Sequence, residues 1–541
     1  MGVADLSNAD EVPVLIVGGS LVGLSTALFL AHHGVPSLSI ERHSGTAIHP
    51  RAGHFQLRTL ELLRSVGLEE IVRRTSQESY FPNGGISAME SVRTGEIAVY
   101  VGDLNDGVQQ FSPSRRLFVA QDALEPILRE RATELGATVR YGAEVGSVQE
   151  VDDGVSAEVR DRGTGEVRTI RARYLVAADG WRSPIREQLG IGMHGYGRLS
   201  RSATIYFRAD CADLLEGTNL GVIYVFNPRL RGFFRFERSG RAGFLAVNTL
   251  GDPREPGALD VTSDLTPDRA RELVRTAIGV PDMAVTVDDV AHWDATADVA
   301  DRYQVGRIFL VGDAVHALPP NGGFGGNTGM QDAHNLAWKL ALAVRGVAGE
   351  QLLATYDAER RPIGQAMIEQ AYTRYARRVT PEVAGDDLPE LIDDLWIEIG
   401  YRYRSTAVIS EDVDEDEALI QDPRVLAGRP GSRAPHVELR RDGRTTSTID
   451  LLGRHFALLA GAEGEPWAAA AAQAAERVGV PIDAHVLGAE LESAYGVSAA
   501  GAALVRPDGF VAFRSPDAVD DPARTLEGAL GAVLGGERKP H

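Results

Sequence analysis

Two hydrophobic periods divide this chain. Apolar residues bunched in fours predict buried strands, recurrence every three or four positions predicts helices, and alternation predicts half-buried strands. Val14-Leu15-Ile16-Val17 is the first bunched run, and Gly18-Gly19-Ser20-Leu21-Val22-Gly23 follows at once. Residues 24–31 read as a helix that Gly34 ends, and residues 37–40 as a second strand closing on Glu41. Residues 55–68 predict a helix with Leu57, Leu60, Leu63 and Leu68 facing inward. Two more runs, 174–178 and 308–311, each stop where an acid sits beside a glycine, at Asp179-Gly180 and Gly312-Asp313. Helices follow at 336–341 and at 356–378.

Elsewhere the pattern alternates. Residues 84–110 and the short runs 203–207, 221–226, 232–237 and 243–247 predict an antiparallel sheet. That span holds Tyr206, Tyr224, Phe226, Phe233, Phe234, Phe236 and Trp293 in a chain otherwise sparing of aromatics. Such a wall suits a planar aromatic ligand, although any one of these rings could equally fill the core. After an acidic run at 411–417, best read as a solvated linker, the pattern restarts. Strands at 456–459, 484–487, 503–505 and 510–513, helices at 467–478 and 525–534, and a hairpin turn at 506–509 predict a separate C-terminal unit.

Composition narrows the class. A chain of 541 residues needs two or three domains, and its net charge of −21 argues against nucleic-acid or anionic-membrane surfaces. No apolar run approaches the roughly 20 residues that span a bilayer. The first residues carry acids and no basic stretch, so no secretory signal is expected. Cys211 is the only cysteine, which excludes an internal disulfide, suits a reducing cytoplasm and rules out a cysteine zinc cluster; the scattered histidines lack ligand spacing, so no metal is expected.

The glycine segment between strand and helix, with Glu41 about 20 residues on, has the layout of a dinucleotide site: pyrophosphate on the helix N-terminus, acid on a ribose. Ser20 replaces the middle glycine, a position where the backbone must approach the pyrophosphate. Only one such fingerprint is present, so no second dinucleotide is expected to be stored on a Rossmann domain of its own.

The stretch from Leu310 to Leu340, with Gly312-Asp313, Pro319-Pro320 and the loop to Gly329, is very similar to the second FAD motif of the class A flavoprotein monooxygenases, the p-hydroxybenzoate and phenol hydroxylase group. Tyr174 to Arg186 resembles that family's Asp-Gly motif. The resemblance implies an α/β Rossmann-like FAD-binding fold, an antiparallel β substrate domain and a thioredoxin-like C-terminal domain without cysteines. The expected limits are about 1–80, 112–190 and 295–410 for the FAD domain, 81–111 and 191–294 for the sheet, 411–428 for the linker and 429–541 for the tail.

It further implies FAD contacts from Gly18, Ser20, Leu21, Val22, Gly23, Glu41, Arg42, Arg51, Gln121, Val145, Asp179, Asp313, Gly325, Gly326 and Asn327. Asp313 and Gln121 would meet the ribityl chain, and Asp179 would cap the helix after it. Tyr224, Phe226, Phe234 and Trp293 are the candidate substrate contacts, with Pro320 and Arg378 as candidate catalytic residues. Along its whole length the chain resembles the anthracycline hydroxylases of the aklavinone 11-hydroxylase type. The implied reaction is hydroxylation of a polycyclic aromatic polyketide, by a flavin C4a-hydroperoxide formed from O₂ after reduction by NADPH, with NADH as the alternative reductant. Baeyer–Villiger insertion or epoxidation, inactivation of an antibiotic, and non-catalytic sequestration of an aromatic drug stay open on this fold. A monomer or a homodimer is expected.

Overall fold

The computed structural model describes residues 5–49, 51–384, 388–411, 418–441 and 443–535. A first sheet is built on the bunched apolar runs. Its order is Gln304–Val305, Ile308–Leu310, Val167–Ala177, Glu11–Val17, Ser37–Glu41, Thr138–Tyr141, with the hairpin Ala143–Val151/Gly154–Asp161 attached along Val167–Ala177. The central strands pair in parallel, Val17 beside both Ala177 and Ile40. Strands covered on both faces need apolar residues at every position, which is why these runs do not alternate. The Leu21–His32 helix is apolar all round for the same reason: it lies between that sheet and the Phe324–Val344 helix, with Leu24, Leu28 and Phe29 fully buried.

The second sheet runs His316–Ala317, Thr286–Ala300, Met193–Arg208, Ala242–Asn248, Leu230–Phe236, Leu220–Asn227, Gly85–Met89, Glu96–Val101. It is not purely antiparallel, as the alternation suggested. Gly85–Met89 lies parallel to Leu220–Asn227, because it arrives by a long connection rather than a hairpin. The Thr286–Ala300 strand also runs unbroken through the expected limit at 294/295.

The C-terminal sheet has the order Ile482–Val486, Phe456–Ala460, Ala502–Val505, Val511–Ser515, with its first pair parallel and the rest antiparallel. The Glu465–Val478 and Pro522–Val533 helices pack on it, giving the thioredoxin-like arrangement. Residues 412–417 of the acidic run lie outside the described residues; Glu411 pairs with Arg514.

This tail is tied into the core by charge. Glu359, fully buried, accepts from Lys339 Nζ at 2.8 Å, from Arg506 Nη1 at 2.6 Å and Nη2 at 2.9 Å, and from Ser405 Oγ at 2.6 Å. Arg506 also holds Asp508, whose carboxylate takes a bond from Asn335 of the long Phe324–Val344 helix. A second buried cluster joins Arg433 and Arg58 to Glu61. A hairpin turn between two strands is expected at residues 506–509. It is a turn, with Gly509 at φ +77°, but its arginine and aspartate point inward.

Two buried histidines, His33 and His334, and the half-buried His54 set an acid limit. Burial holds His33 at about 3 and His54 at about 4, and pushes His334 well below the usual imidazole range. All three are neutral in the fold, whereas the unfolded chain takes up protons below about pH 6.5. Their contribution is therefore complete above about 6.5 and is lost as pH falls towards the folded values. Each costs about 1.4 kcal/mol per pH unit across that window. Urea midpoints at pH 7, 6 and 5 should fall steeply; a flat profile would contradict neutral buried rings.

Candidate active site

Two helix N-termini meet at one crevice. Neither the Leu21–His32 helix nor the Phe324–Val344 helix has a side chain capping its first turn, so both leave backbone N–H groups free. They converge closely: a β-carbon at Gly326 would lie 3.0 Å from Leu21 Cδ2 and 3.2 Å from Ala52 Cβ. One at Gly329 would lie 2.6 Å from Val22 Cγ2. Gly18, at φ +113°, has Ala178 O at 2.3 Å from its would-be β-carbon, and Gly23 has Gly18 O at 2.1 Å. These positions take glycine because strand, turn and helix touch there. Two uncapped helix ends facing one cleft fit a phosphate-bearing, partly anionic ligand, and the donor set suits FAD.

Ser20 is accommodated from the side. Its hydroxyl donates to Glu125 Oε1 at 2.6 Å and accepts from Gln121 Nε2 at 3.0 Å, so it turns away from the helix end. Gln121 also accepts from Ala52 N at 3.2 Å, and Glu125 from Ala47 N at 2.6 Å. Gln121 and Glu125 thus pin Ala52 and Ala47 against the crevice. Sequence reading named Gln121 but missed Glu125, although it stands four positions on along the same helix face. Glu41 accepts from Gly19 N at 2.7 Å and from His43 N at 2.8 Å. Arg42 is exposed at the same rim, and Val145 is buried in the Ala143–Val151 strand that packs beside Ser37–Glu41.

Asp313 opens into the crevice, and burial raises its carboxyl pKa against the opposing pull of His316 and Arg51. Gly325 leaves room beside it, its would-be β-carbon 4.0 Å from Asp313 Oδ1. The turn that presents Asp313 is held from behind by Asp332, which accepts from Gly312 N at 3.1 Å, His316 Nε2 at 2.8 Å and Arg360 Nε at 2.7 Å. Asn327 fixes the facing segment, accepting from Gln56 N and donating to His54 O.

Asp179 shares the cap of its helix with Ser183, which stands at the N-cap position and accepts from Arg186 N at 3.0 Å. Asp179 Oδ2 accepts from Ile185 N, and its Oδ1 is buried without a partner. Burial raises its pKa.

The aromatic wall splits by strand parity. Tyr224 and Phe226 share one face, 6.4 Å apart, and Phe233 lies opposite Tyr224 with ring centroids 5.9 Å apart. These three pack towards the FAD-binding side. Phe234, expected on the wall, is on the other face. Neighbouring strand residues point oppositely, and Phe234 packs with Phe207 and Phe236 in a separate core. Trp293 is on the inner side, its Nε1 donating to Thr204 Oγ1 at 3.0 Å.

The Gly-rich loop reaches the wall through Asn321, whose Nδ2 donates to the Tyr224 hydroxyl at 3.1 Å. Pro320 lies exposed beside it, its carbonyl accepting from Gly323 N. Arg378, at the end of the Glu350–Arg378 helix, stands 4.8 Å from the centroid of Tyr100, and Tyr100 meets Tyr224 edge-on at 5.8 Å. The structure therefore brings Tyr224, Phe226, Pro320 and Arg378 to one side of the crevice. Asn321 and Tyr100 were missed, Asn321 despite standing between the prolines and the glycines.

A fold with an FAD-type crevice under an aromatic-lined sheet defines a flavoprotein of the ring-oxidising class. Comparison with known proteins agrees: residues 11–371 match the family model "FAD binding domain" and residues 427–536 the model "aromatic-ring hydroxylase, C-terminal". The chain is 61% identical over 535 residues to a 4-methyl-5-nitrocatechol 5-monooxygenase of Burkholderia sp, covering 97% of this chain and 98% of that one. It is 41% identical to the tetracenomycin B2 monooxygenase-dioxygenase of Streptomyces olivaceus, covering 97% and 99%. Among solved structures, aklavinone-11 hydroxylase with FAD and aklavinone superposes with a TM-score of 0.91 at 37% identity, covering 98% and 100%. The chain belongs to the FAD-binding aromatic-ring hydroxylases and is a monooxygenase that carries FAD. This sets aside the sequestering alternative.

Proposed function

We propose that this monooxygenase hydroxylates an acidic phenolic ring of the nitrocatechol kind, with NADPH as reductant. The observation that carries the substrate class is the 61% identity, sustained over nearly the whole chain, with the nitrocatechol monooxygenase; the polyketide enzymes stand near 40%. Gly18 to Gly23 receive the FAD pyrophosphate, Glu41, Arg42 and Val145 the adenosine end, and Gln121, Arg51 and Asp313 the ribityl region. Pro320 and Gly325 to Asn327 border the ring system, and Asp179 keeps that loop close.

Once reduced, bound FAD supplies an electrophilic oxygen atom taken from O₂. The chain's own residues do the rest. Phe226, Phe233 and Trp293 exclude water and hold a flat ring. Tyr224 accepts from Asn321, which leaves its own hydroxyl proton free to meet a phenol oxygen. The positive charge of Arg378, behind Tyr100, favours the ionised phenol, whose ring is the better nucleophile. When oxygen is delivered to a carbon that bears a nitro group, the C–O bond forms and the C–N bond breaks. Nitrite leaves with the bonding pair, the newly added hydroxyl gives up its proton to solvent, and a quinone remains.

Holoenzyme given NADPH and 4-methyl-5-nitrocatechol in air should release about one nitrite per NADPH consumed; NADPH oxidation without nitrite would end this reading. A second reading, hydroxylation of a polycyclic polyketide phenol, is favoured by the full-length match to the aklavinone complex. It predicts a product heavier by one oxygen from an anthracyclinone and no turnover of the nitrocatechol.

A further inference from the structure

Arg235 is the unusual cation of this molecule. Lying two residues from Phe233 on the same strand, it points to the same, FAD-facing side. Only 5% of it is exposed. Its guanidinium stands 4.2 Å from the Tyr80 ring centroid and 5.0 Å from that of Phe118. Of the other deeply buried arginines, Arg58, Arg116, Arg360, Arg374, Arg433 and Arg506 each donate to a carboxylate, and Arg186 donates to two backbone carbonyls. Arg235 makes no hydrogen bond or ion pair among the described residues, and its Nε and Nη2 are buried without partners. Two aromatic faces offset part of the lost hydration but satisfy none of the N–H donors.

The surroundings are unfinished in the same way. Nη1 of Arg235 presses on Gly53, where a β-carbon would come within 1.3 Å of it, so only glycine admits the guanidinium. On the other side of Gly53, His54 Nε2 is buried without a partner, its ring against Gly323 of the crevice loop. Asp122 Oδ1 is likewise buried and unpartnered, and no ion pair joins it to Arg235. Tyr80, Asp122 and His54 are the titratable groups that face the guanidinium; Arg116, beyond His54, is already held by Glu398. Two positions along the strand separate the backbone of Arg235 from that of Phe233 by about 7 Å, with both side chains on one face.

We propose that Arg235 is a substrate-binding, specificity-determining residue: its planar fork receives the anionic oxygens of an acidic phenol, nitro or catecholate, whose ring rests on Tyr224 and Phe233. A flat two-oxygen group matches the paired N–H donors, and a neutral phenol does not. This rests on the acidic-phenol reading above and adds the residue that selects for it.

The test titrates 4-nitrocatechol, whose anion absorbs at longer wavelength than its neutral form, into oxidised holoenzyme between pH 5 and 8. The wild type should bind the anion, with a bound pKa below that of free ligand. Arg235→Gln should weaken anion binding at least tenfold and raise the bound pKa by one unit or more, with flavin content unchanged. Arg235→Lys should recover part of the pKa shift; a role in packing alone would not move it. Should Arg235→Gln lose its flavin, the lysine variant decides: a bound pKa equal to that of free ligand would overturn the assignment. Equal affinity and equal bound pKa in wild type and Arg235→Gln would also overturn it while leaving nitrocatechol as substrate. A wild type that binds no nitrocatechol would overturn both.

Discussion

Replacing Glu359 by leucine should cost about 3–5 kcal/mol of stability, because it strands buried charge. Glu359 and Asp508 are the two carboxylates that face Lys339 and Arg506, and all four side chains are sealed from water. Burial alone would raise the Glu359 pKa, but Arg506 and Lys339 outweigh it and hold it well below the usual range. Without Glu359, two cations share one carboxylate. Domains are stable by roughly 5–15 kcal/mol, so the loss is a large share of the total. It should appear in urea unfolding as an earlier midpoint and in limited proteolysis as early release of the C-terminal unit, since Arg506 and Asp508 belong to that unit. Adding Lys339→Met to the same protein restores one cation to one anion and should return part of the loss. Glu382→Gln, which breaks the exposed pair with Arg231, is the control and should cost no more than about 1 kcal/mol. If Glu359→Leu costs no more than that control, the network does not hold the two units together.

That network marks the border of what the chain discloses by reading. Runs such as Val14 to Val17 and 308–311 disclose their place, because a strand buried on both faces must be apolar throughout. The crevice glycines were legible too, since a turn between strand and helix that tolerates no β-carbon leaves glycine at fixed spacing. Phe234 was not: alternation says that 233 and 234 face opposite ways but not which face meets the cofactor, and that depends on the register with Tyr224. Arg506, Arg235 and Glu125 were illegible for a different reason. Charged residues are expected at the surface, and nothing in their neighbours along the chain announces that a distant segment will enclose them. Asp179 shows the finer limit: its bond to the first helical turn was legible, but not that Ser183, at the N-cap position itself, would share the cap.

Ser20→Val should yield protein without the yellow of flavin. Ser20 sits where the fingerprint has its middle glycine, at the first turn of the helix proposed to receive the pyrophosphate. Its β-carbon is tolerated because the hydroxyl turns aside to Glu125 and Gln121. Valine has no hydroxyl for that relay and a second methyl with nowhere to go. It removes one bond each from Glu125 Oε1 and Gln121 Nε2, which still bond each other at 2.7 Å, at about 0.5–1.5 kcal/mol, and crowds the approach of the phosphates as well. Ser20→Ala separates the two effects: it loses the relay and keeps the space, so FAD affinity should fall about twofold to tenfold, in line with that cost. Ser20→Gly frees the helix end further and should stay yellow with weaker retention through dialysis. The reading is lost if Ser20→Val purifies with a full complement of FAD, because the phosphates would then have to lie elsewhere than on the turn between Gly18 and Gly23.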